Sequence, residues 1–367
     1  MHGIDWVDVG LSVLKIAIVL GAMLNVTPIM VWVERRGSAL IQDRPGPNRV
    51  GPFGLFQSFA DALKFILKED FIPAQAHKWL YTIAPMFGLI PALTTISVIP
   101  WGLPFKLPAK RVFGHVFFGG GRIFDPIVAD VNIGILLIFA LSSLGVYGIV
   151  TAGWASANKY SLFGGIRASA QMISYELALT MAAVSALLAT GSLRLTDVVW
   201  QQTGYVYIFN VIKLPAWNIC SPAMWLSFII FTIAAFAETN RLPFDFAEAE
   251  AELVAGYHTE YSSMKFALFF MAEYMAMAAI AALCVTLFFG GWDIPYWDEP
   301  QVWWASALTM LFFAAKVSVL LLIFVWVRWT IPRLKYDILM RLGWKVFLPL
   351  AILNIVIVAF FVAKHWI

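Results

Sequence analysis

The chain alternates long apolar runs with shorter polar ones, and the run lengths set the first expectation. A bilayer core takes about 20 apolar residues as helix. Seven stretches reach or approach that length: residues 7–33, 79–101, 131–153, 168–189, 264–289, 302–327 and 346–362. An eighth, 222–237, is shorter and runs straight into Glu238. Polar groups at that depth persist only where protein or a wet cavity covers them, so this end is expected to be buried against other helices. The pattern predicts an all-α polytopic membrane protein with about eight transmembrane helices in one membrane domain spanning residues 1–367.

Residues 53–70, FGLFQSFADALKFILKED, have a different period. Phe56, Phe59, Ala60, Leu63, Ile66 and Leu67 make an apolar stripe at helical spacing, with Gln57, Asp61, Lys64 and Lys68 opposite. The segment is too charged to span and predicts an interfacial amphipathic helix after the first span. The preceding RPGPNRVGPFG is too rich in Pro and Gly for a helix and reads as an ordered loop. Residues 102–130, which contain FFGGGR, read as a small hairpin.

Charge orients the spans. Sixteen of the 25 Lys and Arg fall in alternate loops after the first, third, fifth and seventh spans. By the positive-inside rule these loops face the cytoplasm and both termini lie outside. The N-terminal MHGIDWVDVG has no basic n-region, and the apolar run behind it is too long for a signal-peptide core. That first run is expected to remain as an anchor. Composition agrees with a membrane protein: 61% hydrophobic and 13% charged, with mean hydropathy +0.80, against roughly 45–50% and ~25% in soluble chains. The formal charge of +3 is therefore read as loop asymmetry, with no nucleic acid partner.

Redox groups are not expected in this chain. Cys220 and Cys284 are far apart and form no CxxC, which leaves nothing for a zinc or iron–sulfur site. His2, His77, His115, His258 and His365 fall at termini, in loops or at span edges, where a membrane haem would find no axial ligands. No dinucleotide or P-loop fingerprint occurs. If electrons are involved, another subunit carries them.

Carboxylates within and beside the spans are the candidates for chemistry. Glu176 and Glu273 each lie nine residues into a span, at matched depth near the midplane, with Lys15 and Lys316 as candidate structural counterions. FAETNRLPFDFAEAEAELVAGYHTEYS, residues 236–262, packs Glu238, Asp245, Glu248, Glu250, Glu252 and Glu260 into one loop. Read as helix after Pro243, it sets Asp245, Glu248 and Glu252 on one face, with Glu250 elsewhere. Two readings stand: a solvated acidic face for a basic partner, or a crowded cluster sharing protons. The interleaved Phe244, Phe246, Leu253 and Val254 favour burial, and a line of carboxylates from loop to midplane would be a proton path.

Three motifs carry a family resemblance: VERRGSALIQDRPGPNRVGPFG, NKYSLFGGIRASAQMISYE and AETNRLPFDFAEAEAELVAGYHTEYS. In order, from about Trp32 to Lys335, they resemble the quinone-chamber membrane subunit of NADH–quinone oxidoreductase (respiratory complex I) of bacteria and mitochondria. Related subunits of membrane-bound hydrogenases share parts of the pattern, and a standalone cation transporter is the reading from another class. The resemblance implies a membrane subunit without haem, flavin, iron–sulfur cluster or metal, for which ubiquinone or menaquinone is the substrate. It also implies other membrane subunits and peripheral iron–sulfur subunits as partners, and a bacterial inner membrane location with periplasmic termini. Glu34, Arg35 and Arg36 match charged positions near the quinone tunnel, Asp61 and Ala62 its wall, and Phe270 and Arg328 positions close to it. Glu238, Arg241, Asp245, Glu248, Glu250, Glu252 and Glu260 match an acidic funnel, with Tyr175, Glu176 and Glu273 as its membrane continuation. The loop 102–130 matches nothing in the family.

Overall fold

A computed structural model of the chain describes residues 6–107, 110–112, 115–118, 122–208, 212–245, 254–297 and 300–364. Eleven α-helices occur among the described residues: α1 (Trp6–Ile41), α2 (Gln57–Leu67), α3 (Lys78–Thr95), α4 (Gly134–Ala155), α5 (Lys159–Thr190), α6 (Leu195–Gln202), α7 (Pro222–Glu238), α8 (Ser263–Phe288), α9 (Trp303–Thr330), α10 (Tyr336–Leu342) and α11 (Leu348–Ala363). A π-helical turn, Gly343–Phe347, joins the last two. Seven units are long and apolar enough to cross a membrane, with α10 and α11 counted as one, so the protein is multi-pass. The eighth expected span is α7, whose 17 residues cover about 25 Å at ~1.5 Å per residue. Its end at Glu238 is buried, as the sequence required.

The bundle is apolar inside and out. Val13, Leu14, Leu311, Val319 and Val356 are exposed on helix flanks, as lipid contact demands. Burying apolar surface gives little drive for association in lipid, so close packing of small residues takes over. A Cβ on Gly148 of α4 would stand 3.0 Å from the Gly88 nitrogen of α3. One on Gly164 of α5 would stand 2.8 Å from the Gly256 Cα. A side chain at Gly164 would force the facing backbone apart, and one at Gly148 would need the α3 backbone to give by a few tenths of an ångström. The centre is formed by α5 and α8, from which Tyr175, Leu179, Tyr274 and Met277 join one core cluster.

The two ends differ in build. The basic end carries α2, the loop after α7 and α10. The opposite end carries three two-stranded antiparallel sheets: β1 (Phe105–Lys106) with β4 (Ile123–Phe124), β2 (Lys110–Val112) with β3 (His115–Phe118), and β5 (Tyr205–Ile208) with β6 (Ile212–Pro215). The hairpin expected in residues 102–130 is thus present as two nested ladders. The β5–β6 hairpin and α6 were not anticipated.

Three expectations about the basic end need correction. The amphipathic helix covers residues 57–67 rather than 53–70, because Gly51, Phe53 and Gly54 all take positive φ and end the turn Pro52–Gly54 before α2 begins. The helix expected directly after Pro243 does not include Phe244 or Asp245: Leu242 and Pro243 form a turn, Phe244 a bend, and Asp245 is not helical. Glu248, Glu250 and Glu252 lie outside the described residues. Glu176 and Glu273 are also not level in their helices. Because α5 begins at Lys159 and α8 at Ser263, they stand about 26 and about 15 Å from their helix starts at ~1.5 Å per residue.

Candidate functional site

The basic end encloses a large cavity of about 630 Å³ between α1, α2, α8 and the end of α9. Leu24, Pro28, Phe59, Phe65 and Met271 supply apolar wall. The sequence-predicted residues Glu34, Arg35, Asp61, Ala62, Phe270 and Arg328 all line it. They come from four helices and meet only because α2 folds back on α1, where the Ser58 hydroxyl donates to the Pro28 carbonyl at 2.7 Å. The stripe of α2 is exposed, with Leu63 and Leu67 outward and Phe59 and Ile66 along the cavity, while Asp61 faces α1 and pairs with Arg35 at 2.7 Å. Arg36 is not in the wall. Its guanidinium lies over the Phe53 ring, 5.6 Å from the centroid.

A smaller cavity of about 110 Å³ lies deeper, among α3, α4, α5, α8 and the end of α7. Its lining is mostly small and apolar, with Glu238, Glu273, Ser142, Thr239 and Asn240 as polar members. Glu238 is buried, and its Oε2 has no hydrogen-bond partner among the described residues. Glu176 borders the same region, accepting hydrogen bonds from the hydroxyls of Ser142 and Ser143 on α4.

One side chain joins the two cavities. Arg241, in the loop after α7 and only 5% exposed, sets Nε 2.7 Å from Glu273 and Nη1 3.5 Å from Glu34. Its guanidinium also stacks over the Tyr274 ring at 4.2 Å. Glu34 is shared further, by the Tyr274 hydroxyl and the Arg328 guanidinium. Burial alone would lower the Arg241 pKa, but Glu273, Tyr274 and Glu34 raise it above the ordinary value, so it stays charged. At the loop's far side Asp245 pairs with Arg333 at 3.3 Å. Four carboxylates (Glu34, Asp61, Asp245, Glu273) thus face four guanidiniums (Arg35, Arg241, Arg328, Arg333). Pairing lowers the cost of covering these charges, and one proton more or less leaves a charge without its partner.

The lysines suggested as counterions are elsewhere. Lys316 donates to the carbonyls of Phe289, Gly291 and Asp293 at the far end of α8. Lys15 sits over the Phe124 ring. Neither pairs with Glu176 or Glu273.

The chain matches the NADH dehydrogenase family over residues 14–359. It is 46% identical to the first of the numbered H subunits of NADH-quinone oxidoreductase in Geobacter metallireducens, across 95% of this chain and 96% of that one. The second numbered H subunit of Koribacter versatilis is 45% identical over 96% and 97%, and the H subunit of Bdellovibrio bacteriovorus 43% over 98% and 97%. The chain belongs to the family of NADH–quinone oxidoreductase H subunits. Within that family frame, not every residue marked in the sequence joins the Arg241 cluster. Glu260 accepts from the Asn158 amide at 2.6 Å, on the α3–α5 side of the bundle. Tyr175 is fully buried, donates its hydroxyl to the Leu339 carbonyl at 2.9 Å, and packs against Phe244 and Phe347. That fixes α10 and the loop to α5, on a helix face turned away from Glu176. Reading the sequence missed Tyr274, Arg333, Ser142 and Ser143. A tyrosine directly after Glu273 and serines in a span were visible, but nothing local told which partner each would meet. Among the described residues no group of three or more His, Cys, Asp or Glu could hold a metal ion.

Proposed function

We propose that the larger cavity is this chain's part of a quinone chamber, and that Glu34, Arg241 and Glu273 connect it to a proton path through the smaller cavity. The observation that carries this reading is the single guanidinium shared between a carboxylate of each cavity. The large cavity suits a quinone chemically: apolar walls for a prenyl tail and ring, and Arg35, Asp61 and Arg328 as polar groups for the head. A change in charge or protonation there acts on Glu34, which three donors hold. A proton added to Glu34 weakens its hold on Arg241 and shifts the guanidinium's balance toward Glu273. From Glu273 the polar groups of the smaller cavity, Glu238 and Ser142, lead to Glu176.

In this reading the chain is the cofactorless membrane subunit of a proton-translocating enzyme of the bacterial inner membrane. Its basic end faces the cytoplasm, where peripheral iron–sulfur subunits dock, and its termini are periplasmic. Other membrane subunits cover part of the exposed helix flanks. The test is Glu273→Gln in an assembled complex, which keeps shape and removes the titrating group. Coupled quinone reduction and proton pumping are expected to fall together while assembly persists. Full pumping in an assembled Glu273→Gln complex would sink the reading.

A further inference from the structure

Gln171 is buried in the middle of α5, with no exposed surface. Its amide nitrogen faces three oxygens at the end of α7 and in the loop after it: the Ala237 carbonyl in the last turn of α7 at 2.8 Å, the Phe244 carbonyl at 2.7 Å and the Asn240 side-chain oxygen at 3.3 Å. Three acceptors around one nitrogen fix the amide's orientation, since the opposite flip would set oxygen against oxygen. Ala237 and Phe244 are the two ends of a short segment, and Arg241 lies between them. One side chain therefore pins both ends of the segment to a rigid helix. Within it Asn240 holds a positive φ of 49°, a conformation uncommon outside glycine that surrounding contacts must maintain. The Asn240 amide reaches the Met172 sulfur at 3.7 Å, so α5 grips the segment through two neighbouring residues.

The other end of the amide has a cost that packing alone does not explain. The Gln171 Oε1 is buried without a hydrogen-bond partner among the described residues. An orphaned buried acceptor is unfavourable, and an apolar residue of similar volume would avoid it. The two donated bonds offset that cost only if the segment's conformation matters.

We propose that Gln171 is a positioning residue for the Glu34–Arg241–Glu273 bridge: by pinning Ala237 and Phe244 it keeps the Arg241 guanidinium within reach of both carboxylates. This rests on the proton-path reading above, and the experiment separates the two. Gln171→Met keeps volume and loses the donors, while Gln171→Glu keeps shape and turns a carboxyl oxygen toward the two carbonyls. Both are made in the assembled complex, beside Glu273→Gln. Amide hydrogen exchange of the peptide covering residues 237–245 is expected to rise at least about fivefold in both Gln171 variants, because the segment opens more often. Quinone turnover should fall on the order of tenfold with KM for quinone unchanged, since Gln171 and Arg241 lie outside the large cavity's wall. Gln171→Glu is expected to be the more severe. Unchanged exchange in Gln171→Met overturns the pinning, and raised exchange with normal turnover overturns the positioning role. A rise in KM alone would also overturn it, because that would assign Gln171 to the quinone cavity. If Glu273→Gln keeps full turnover while exchange still rises in Gln171→Met, the proton-path reading fails and the pinning stands.

Discussion

The two ends of the bundle use the same charged residue types to opposite effect. At the hairpin end, Arg194 pairs with Asp130 and Asp197, and Arg122 pairs with Asp8. These side chains are roughly a third to two-thirds exposed, Asp130 being the most covered at 27%. They tie the loops at that end to α1 and α6. At the basic end, Arg241 and Glu34 are below 10% exposed, and each is shared among several partners. Exposed pairs act one at a time and are screened by water and salt. Buried shared charges respond as a set, because removing one leaves the rest uncompensated. The residue types of these pairs do not distinguish them; desolvation and sharing do.

The largest effect should come from removing the shared cation. Arg241→Ala leaves Glu34 and Glu273 without their common partner, a cost of about 3–5 kcal/mol for an uncompensated buried charge. Loss of assembled complex on native gels is expected, with residual complex more than about tenfold down in quinone reduction. Arg241→Lys keeps charge but not the fork that reaches two carboxylates, and should fall between. An Arg241→Ala complex as stable as an Arg194→Ala complex would break the comparison.

The next effect concerns the cavity rim, which is intermediate in exposure. Asp61→Ala or Arg35→Ala breaks the 2.7 Å pair at a half-exposed site. Each should raise KM for quinone by roughly three- to tenfold with little loss of assembly. Leu63→Glu, on the outward face of α2, should instead lower membrane assembly with KM unchanged. Identical defects in Asp61→Ala and Leu63→Glu would erase the distinction between the two faces of α2.

Glu176→Gln should be milder in structure than in function. Its partners are the hydroxyls of Ser142 and Ser143, which can donate to an amide oxygen as well as to a carboxylate. Assembly is expected to be normal and proton pumping several-fold lower, a rise of about 1 kcal/mol in the relevant barrier. Wild-type pumping would make Glu176 a structural acceptor only.

A pH effect sharpens the contrast at the basic end. Burial pushes the His258 imidazole down to about 4. The opened state binds its proton near the ordinary value of ~6.5, so it carries more protons than the folded turn between the two pKa values. Stability of the turn Gly256–His258 is therefore full above about pH 6.5 and declines as pH falls toward about 4. Amide exchange of residues 254–262 followed from pH 7 to 5, after correction for intrinsic rates, should show this decline. It should be absent in His258→Phe.

The smallest effect belongs to the hairpin end. Arg194→Ala should cost no more than about 1 kcal/mol and should be mimicked by high salt. The Asp130 carboxyl, held below its usual range by the Arg194 hydrogen bond, contributes stability that is lost only as pH falls through the carboxylate range. Thermal melts at two ionic strengths would check this.

Most of the fold could be read in advance, because membrane spans are local statements about length and hydrophobicity. Two elements depart from that. Helix α5 starts well before the apolar run suggests, at the Asn158 side-chain cap, since Lys159 and Arg167 can extend past the hydrocarbon. The spacing after Pro243 allows a helix, yet Phe244 and Asp245, held by the Gln171 and Arg333 contacts, are not helical. At the site, the residues assigned by resemblance to the quinone tunnel line the large cavity except for Arg36, but the role of Arg241 as the link was not visible.

The sequence by itself determined the spans, the basic end and the chemical identity of the acids. Apolar length, loop charge and residue type are properties of short segments, and solvent and lipid read them directly. Which acid meets which base was decided only by the tertiary structure. Arg241 and Glu34 are 207 residues apart in the chain and 3.5 Å apart in the bundle. Electrostatic energy depends on that distance and on the exclusion of water around it, and both are set by how α1, α5, α7, α8 and α9 pack together.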